Sequence, residues 1–290
     1  RPARSPDPAS RPPVAPLPRE ADLAGRHVVI TAGGTAEPID PVRFITNRST
    51  GKMGVAVADA ALDRGAHVTL IAGSVSVPLP DRATVINVGS TAQMRAALLV
   101  ATVTADPDGR ASFDALVMAA AVADFRPVRA AETKLTRGEG LTLELEPTPD
   151  LLAEVARIVR GHDAVAEQTR QAHTPMPVLV GFAAETGSLE RAVDKLTRKG
   201  VDLLVANDVS EAGSGFGTDT NRVTIFSADG PSEAWPLLTK REVADRLLDL
   251  VADRLDARDA ARQTSGAPSA ESAAAGDYDA TERQTQETGR

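Results

Sequence analysis

Short apolar runs rich in β-branched residues alternate along the chain with longer stretches whose apolar positions recur at helical spacing. The runs at 27–31, 67–72, 84–88, 115–119, 178–182 and 203–206 place apolar residues side by side, the pattern of strands buried on both faces. Between and after them the periodicity predicts helices over 51–64, 91–104, 150–159, 189–199 and 240–255. Strand then helix, repeated, predicts βα units stacked into a parallel sheet. Late in the chain, 222–227 and 233–237 flank Ala228-Asp229-Gly230. That arrangement predicts a β-hairpin closed by a tight Asp-Gly turn, its strands extending the sheet or meeting a second protomer.

The two ends break the pattern. Seven of the 20 prolines fall within the first 19 residues, where Val14 and Leu17 are the only large apolar side chains. Such a segment buries too little surface to offset its ordering entropy, so residues 1–22 are expected to be a disordered linker. Residues 257–290 hold Tyr278 as their only large apolar side chain and are expected to be a disordered polar tail. The folded body is therefore 23–256, and it shows no repeat of fixed period.

Composition narrows the chemistry. Lys and Arg number 32 against 40 Asp and Glu, a net charge of −8, which argues against a nucleic-acid surface. Aromatics are 3% of the chain, so the core must be Val, Leu, Ile and Ala. Cysteine is absent, which removes disulfides, thiolate metal sites, iron–sulfur clusters and a thiol nucleophile from the reading of these residues. No apolar run approaches the roughly 20 residues that span a bilayer, and the Pro- and Arg-rich start is unlike a signal peptide. The expectation is a cytoplasmic protein with no membrane partner.

Ligands of open α/β sheets bind beyond the carboxyl ends of the strands, so strand exits carry the candidate chemistry. The first exit, Ala32-Gly33-Gly34-Thr35, is not followed by a helix at dinucleotide spacing, and Gly51-Lys52-Met53 lacks the hydroxyl of a P-loop. Asn47-Arg48-Ser49-Thr50-Gly51-Lys52-Met53-Gly54 opens a helix with hydroxyls and small residues, which suits either ordinary capping or an anion held by helix N–H groups. Arg43, Asn47 and Lys52 tilt it toward a phosphate or carboxylate. The second strand ends in Ala72-Gly73-Ser74 rather than the acidic residue that holds a dinucleotide ribose.

Other exits are less decided. Met118-Ala119-Ala120-Ala121-Val122-Ala123-Asp124 suits a flat ligand or close helix packing, Lys134 sits in a polar loop, and Phe182 suits a base or the core. Lys195 and Lys199 lie four apart, a solvated face or a polyphosphate grip. The four histidines show no ligand spacing, so the metal ligands stay unassigned.

In order along the body, Thr31-Ala32-Gly33-Gly34-Thr35, Ile39-Asp40-Pro41-Val42-Arg43, residues 47–54, Ala120-Ala121-Val122-Ala123-Asp124, residues 181–186, Lys195 with Lys199, and Ala206-Asn207-Asp208-Val209 are similar to phosphopantothenoylcysteine synthetase. The resemblance implies a Rossmann-like α/β fold, a homodimer with the late hairpin at its interface, and a ligase of coenzyme A biosynthesis. Its substrates would be 4'-phosphopantothenate, L-cysteine and CTP, joined through an acyl cytidylate, with Mg2+ arriving on the nucleotide and no FMN in this chain. It also implies fusion to, or partnership with, a flavin-dependent decarboxylase.

Residue by residue, the resemblance assigns Asn47 to the cytidylate, Arg43 to the acyl substrate and Lys134 to the triphosphate. Nucleotide binding falls to Gly33, Gly34, Ser49, Met118, Ala119, Ala120, Asp124, Thr148, Pro149, Asp150, Leu151, Phe182, Lys195 and Lys199. The chain departs from the family pattern at Lys134-Leu135-Thr136-Arg137, where a lysine cluster is usual, and at Thr148-Pro149-Asp150, where Asn is usual first. Two other classes remain open at this point: an NAD(P)-dependent oxidoreductase and a nucleotide-sensing dimer without catalysis. Titration of CTP against NADPH separates the first, and pyrophosphate release the second.

Overall fold

The computed structural model describes residues 21–103, 113–138, 140–160, 176–187 and 189–264. Most of the expected linker, and the expected tail beyond residue 264, lie outside them. Eight strands form one sheet: β1 His27–Ala32, β2 His67–Ala72, β3 Thr84–Asn87, β4 Ala115–Met118, β5 Val178–Glu185, β6 Leu203–Asp208, β7 Thr224–Ser227 and β8 Glu233–Ala234. Their order is β8-β7-β6-β5-β4-β1-β2-β3. β1 to β6 pair in parallel, and β7 and β8 extend the sheet antiparallel. The helices are α1 Lys52–Asp63, α2 Thr91–Val103, α3 Leu151–Val159, α4 Glu190–Lys199 and α5 Lys240–Thr264.

Both faces of the sheet are covered, which explains why the strands read as unbroken apolar runs. Val28 and Ile30 of β1 pack with Val57 and Ala61 of α1 and Val243 and Leu247 of α5. Val29, one residue out of phase, joins Met94 and Leu98 of α2 and Leu152 and Val155 of α3 on the other face. α1 lies so close to β1 that a Cβ on Gly54 would stand 2.6 Å from the Ala32 Cβ. The chain leaves β1 toward β2 on one side and reaches β4 on the other, so the strand order reverses between β1 and β4 and opens a crevice at their carboxyl ends.

Three expectations need correction. α5 runs to Thr264, past both the 255 helix end and the 256 domain boundary. Its last turns are held by ion pairs rather than apolar burial: Arg258 donates to the Met176 carbonyl at 2.7 Å and to Asp202 at 2.7 Å, and Asp259 accepts from Arg26. Hydrophobic periodicity therefore ends before the helix does. The late hairpin does extend the sheet, but no tight Asp-Gly turn closes it, because Ile225 pairs with Glu233 and leaves residues 226–232 between them. Phe226 and Ser227 remain paired to Leu204 and Leu203 of β6, and Gly230 is not among the glycines at positive φ. Asp22, placed in the linker, is anchored through two hydrogen bonds from buried Arg64.

Three short antiparallel strand pairs stand apart from the main sheet, namely Ala36–Pro38 with Phe44–Thr46, Phe125–Pro127 with Leu145–Pro147, and Thr220–Asn221 with Leu238–Thr239. No described helix is long and apolar enough to cross a membrane.

Candidate functional site

Three strand exits are knitted together by backbone. Gly34 N–H donates to the Ser74 carbonyl at 3.2 Å and Ser74 N–H returns to the Gly34 carbonyl at 2.8 Å, while Ala121 N–H donates to the Gly33 carbonyl at 2.8 Å. A Cβ on Gly33, whose φ is +81°, would lie 2.4 Å from the Ser74 carbonyl oxygen. These glycines thus let three backbones close on one another. Gly33 and Gly34 are not among the residues that line the cavity, and what they do in the fold is pack backbone against backbone.

The crevice itself is a cavity of about 500 Å³. One side is the segment leaving β4, where Met118, Ala119, Ala120 and Asp124 line it. Thr148, at the position where the family pattern has Asn, holds this segment in place: its hydroxyl donates to the Ala123 carbonyl at 2.5 Å and its N–H to the Asp124 carbonyl at 2.9 Å. Pro149, Asp150 and Leu151 continue the wall into the start of α3, whose N-cap is Asp150. Phe182 of β5 is half-buried, packing against the core while also lining the cavity. Asn47 reaches across, its Nδ2 donating to the Val122 carbonyl at 2.8 Å.

Opposite lies the origin of α1. Its N-cap is Gly51 in the left-handed conformation, and no side chain caps it; Ser49 Oγ instead accepts from the Gly51 N–H at 3.3 Å. Ordinary capping by Ser49 or Thr50 is thereby set aside. Gly51, Lys52, Met53 and Gly54 line the cavity, so the positive end of the helix faces it with backbone donors uncapped by side chains. A left-handed Gly51 also has its reason: Val75 methyls fill the space a side chain would need, at 2.8 Å.

Cations complete the wall. Lys195 and Lys199 of α4 line it, and each holds a carboxylate: Lys195 with Glu185 at 2.5 Å, Lys199 with Asp150 at 3.0 Å. Exposed Arg198 lies between them in sequence and also lines the cavity. From the other side come Lys52, bound to Asp219 at 2.6 Å, and Lys240, the first residue of α5. Lys240 is 7% exposed. Burial, and then the Lys52 ammonium, push it below the ordinary lysine value, with Asp219 opposing. Asn207, from the Ala206-Asn207-Asp208-Val209 motif, lines the cavity as well, whereas Lys240, Phe216 and Asn221 belong to none of the quoted motifs and reach it through tertiary folding.

Arg43 and Lys134 do not line the cavity. Arg43 forks onto Asp40 through Nε at 3.0 Å and Nη2 at 2.5 Å, and donates to the Leu135 carbonyl at 2.7 Å. Asp40 also accepts from the backbone of Val42, Arg43 and Leu135. The Arg43 guanidinium and these N–H groups hold the buried Asp40 carboxyl far below the usual carboxylate range. The knot fastens the loop of Lys134 to that of Arg43. A larger recess of about 890 Å³ lies beyond the shared wall of Pro149, Asp150 and Lys199. It faces helix flanks instead of strand exits, and its Arg95, Arg126 and Arg160 are spent on Glu154, Glu146 and Asp202. The smaller cavity is therefore the candidate site. Among the described residues no group of three His, Asp or Glu is placed to hold a metal.

Residues 23–255 match the family model described as DNA/pantothenate metabolism flavoprotein C-terminal domain. The chain is 45% identical over 235 residues to the coenzyme A biosynthesis bifunctional protein CoaBC of Bacillus subtilis (strain 168), covering 80% of this chain and 52% of that protein. It is 45% identical over 238 residues to the CoaBC of Mycobacterium tuberculosis (strain ATCC 25618 / H37Rv), covering 79% and 53%. The chain thus spans about half the length of these relatives. Among solved structures, the C-terminal domain of a CoaBC superposes with a TM-score of 0.63 at 34% identity, covering 82% of this chain and 99% of that one.

Proposed function

The chain belongs to the family of the DNA/pantothenate metabolism flavoprotein C-terminal domain, and from that membership we propose that it is a ligase of coenzyme A biosynthesis that joins 4'-phosphopantothenate to L-cysteine with CTP. A free carboxylate is a poor electrophile, so the reaction must first activate it. The phosphopantothenate carboxylate oxygen bonds to the α-phosphorus of CTP while the bond to the β-phosphate breaks and pyrophosphate leaves. The cysteine amine then bonds to the acyl carbon, the mixed-anhydride C–O bond breaks, CMP leaves, and a proton is lost from nitrogen. The product is 4'-phosphopantothenoylcysteine.

Neither step needs a protein nucleophile; both need charge neutralised and reactants aligned. The observation that carries the proposal is the α1 origin, uncapped by any side chain, facing Lys195 and Lys199 across one cavity, with Asn47 anchored between. In this function the α1 backbone donors and Ser49 hold phosphate, and Lys195 and Lys199 exchange their carboxylates for it. Met118 to Ala120, Asp124, Thr148 to Leu151 and Phe182 hold the nucleoside. Asn47 holds the acyl cytidylate for attack, Arg43 the acyl substrate, and Lys134 swings in on its loop to the triphosphate. Magnesium enters as part of the nucleotide substrate.

The wider expectations are a homodimer, fusion to or partnership with a flavin-dependent decarboxylase, and work in the cytoplasm. The relatives' name, bifunctional, supports the second. The test is pyrophosphate release from phosphopantothenate with CTP compared with ATP. Release with CTP is expected; NADPH binding with no release from either nucleotide would favour an oxidoreductase, and CTP binding without release a sensor.

A further inference from the structure

One loop on the cavity wall is tied down by two lysines from two different helices. Residues 213–220 run between β6 and the short strand Thr220–Asn221. Lys240 Nζ donates to the Gly215 carbonyl at 3.1 Å and to the Thr218 carbonyl at 2.5 Å. Lys52 Nζ donates to the Gly217 carbonyl at 2.9 Å. Asn221, 4% exposed, accepts from Ser214 Oγ at 2.7 Å and from the Gly215 N–H at 3.3 Å. In the middle of this well-fastened loop sits Phe216, 45% exposed and on the cavity wall.

Two features need a reason. An ammonium as buried as Lys240 is costly to desolvate, and here its hydrogen-bond partners are neutral carbonyls; among the described residues it has no ion pair. An apolar residue would fill the space at less cost, so what the charge does must be to bind carbonyls no apolar side chain can hold. Meanwhile a phenyl ring, able to bury a large apolar area, is held out toward the cavity.

We propose that Lys240 is a positioning residue of this site, clamping the 213–220 loop so that Phe216 covers the bound nucleotide. The inference rests on the proposed function for the identity of what Phe216 covers, and on the geometry alone for the clamp. Lys240 acts through Phe216, so the two residues form one unit.

The test uses the full chain with Lys240→Gln, Lys240→Arg, Phe216→Ala and the Gln/Ala double variant. In pyrophosphate-release assays with saturating phosphopantothenate, Phe216→Ala and Lys240→Gln are each expected to raise the CTP KM roughly tenfold, the loss of one ring contact, with kcat changed less than about twofold. The double variant should be no worse than the more affected single one, and Lys240→Arg should recover most of the affinity. Hydrogen exchange, which needs no substrate, should speed up at the amides of 213–219 in Lys240→Gln and leave β1 and β4 unchanged. Phe216 is exposed, so its variant folds whether or not Lys240→Gln does. Multiplying effects on KM would mean that Lys240 acts on the ligand directly, and an unchanged KM in Phe216→Ala that the ring covers nothing; either overturns the proposal, as does unaltered exchange. Should the parent chain release no pyrophosphate from either CTP or ATP, the proposed function fails while exchange still decides the clamp.

Discussion

At the residue scale the site divides into groups already fixed in place and groups that must exchange partners. Asn47 is fixed through the Val122 carbonyl. Asn47→Ala should therefore spare pyrophosphate release but slow amide formation by roughly 10²- to 10³-fold, the scale for losing one preorganised donor, with acyl cytidylate accumulating in quenched reactions. Equal loss in both half-reactions would place Asn47 elsewhere in the mechanism. Lys134→Gln should do the reverse and slow pyrophosphate release; normal release would remove the lysine from triphosphate binding.

Asp40 gives a pH signature. Its carboxyl is depressed in the folded state, chiefly by Arg43, so it stabilises the fold fully above the unfolded-state value of about 4 and progressively less as pH falls below it. Thermal unfolding at pH 6 and pH 3 should show a larger loss for the parent chain than for Asp40→Asn; parallel losses would mean the knot contributes nothing. Residues that cluster at one strand exit or one helix start, such as Asn47 and Ser49 or Ala120 and Asp124, were legible in the sequence. Lys240 and Phe216 were not, because they meet the cavity through a loop whose closure depends on hydrogen bonds to its carbonyls from Lys52 of α1 and Lys240 of α5. Gly33 and Arg43 stood out for local reasons, and the structure adds what the sequence did not show: the first packs backbone and the second is paired with Asp40.

At the element scale the fit between α1 and β1 is what aims the helix at the cavity. Gly54 makes the fit possible, since a Cβ there would lie 2.6 Å from the Ala32 Cβ and 2.8 Å from the Thr31 carbonyl oxygen. Gly54→Ala gains up to about 1 kcal/mol of helix propensity but meets overpacking of about 1–3 kcal/mol, so destabilisation should win. A Tm drop of a few degrees with a raised CTP KM is expected, and a higher Tm would show the contact to be slack. The strand positions were legible because burial on both faces leaves contiguous apolar runs, and β2 begins and ends where its run does. The last turns of α5 were hidden because Arg258 and Asp259 are held by charge, and the hairpin connection because Asp229-Gly230 signals a tight turn that pairing with β6 prevents.

At the scale of the whole molecule, a parallel sheet with its order reversing between β1 and β4 gathers segments from across the body around one crevice. The net charge of −8 does not describe the cavity wall, where Lys52, Lys195, Arg198, Lys199 and Lys240 outnumber Asp124 and Asp150. The predicted homodimer is checked by sedimentation: a mass near twice that of the chain is expected, and a concentration-independent monomer would remove the dimer. Most direct of all is pyrophosphate release when the chain is mixed with phosphopantothenate and CTP before any cysteine is present. Release that precedes cysteine, followed by conversion to phosphopantothenoylcysteine and CMP once cysteine is added, is the predicted result. No release with CTP, at nucleotide concentrations that saturate binding, would contradict it.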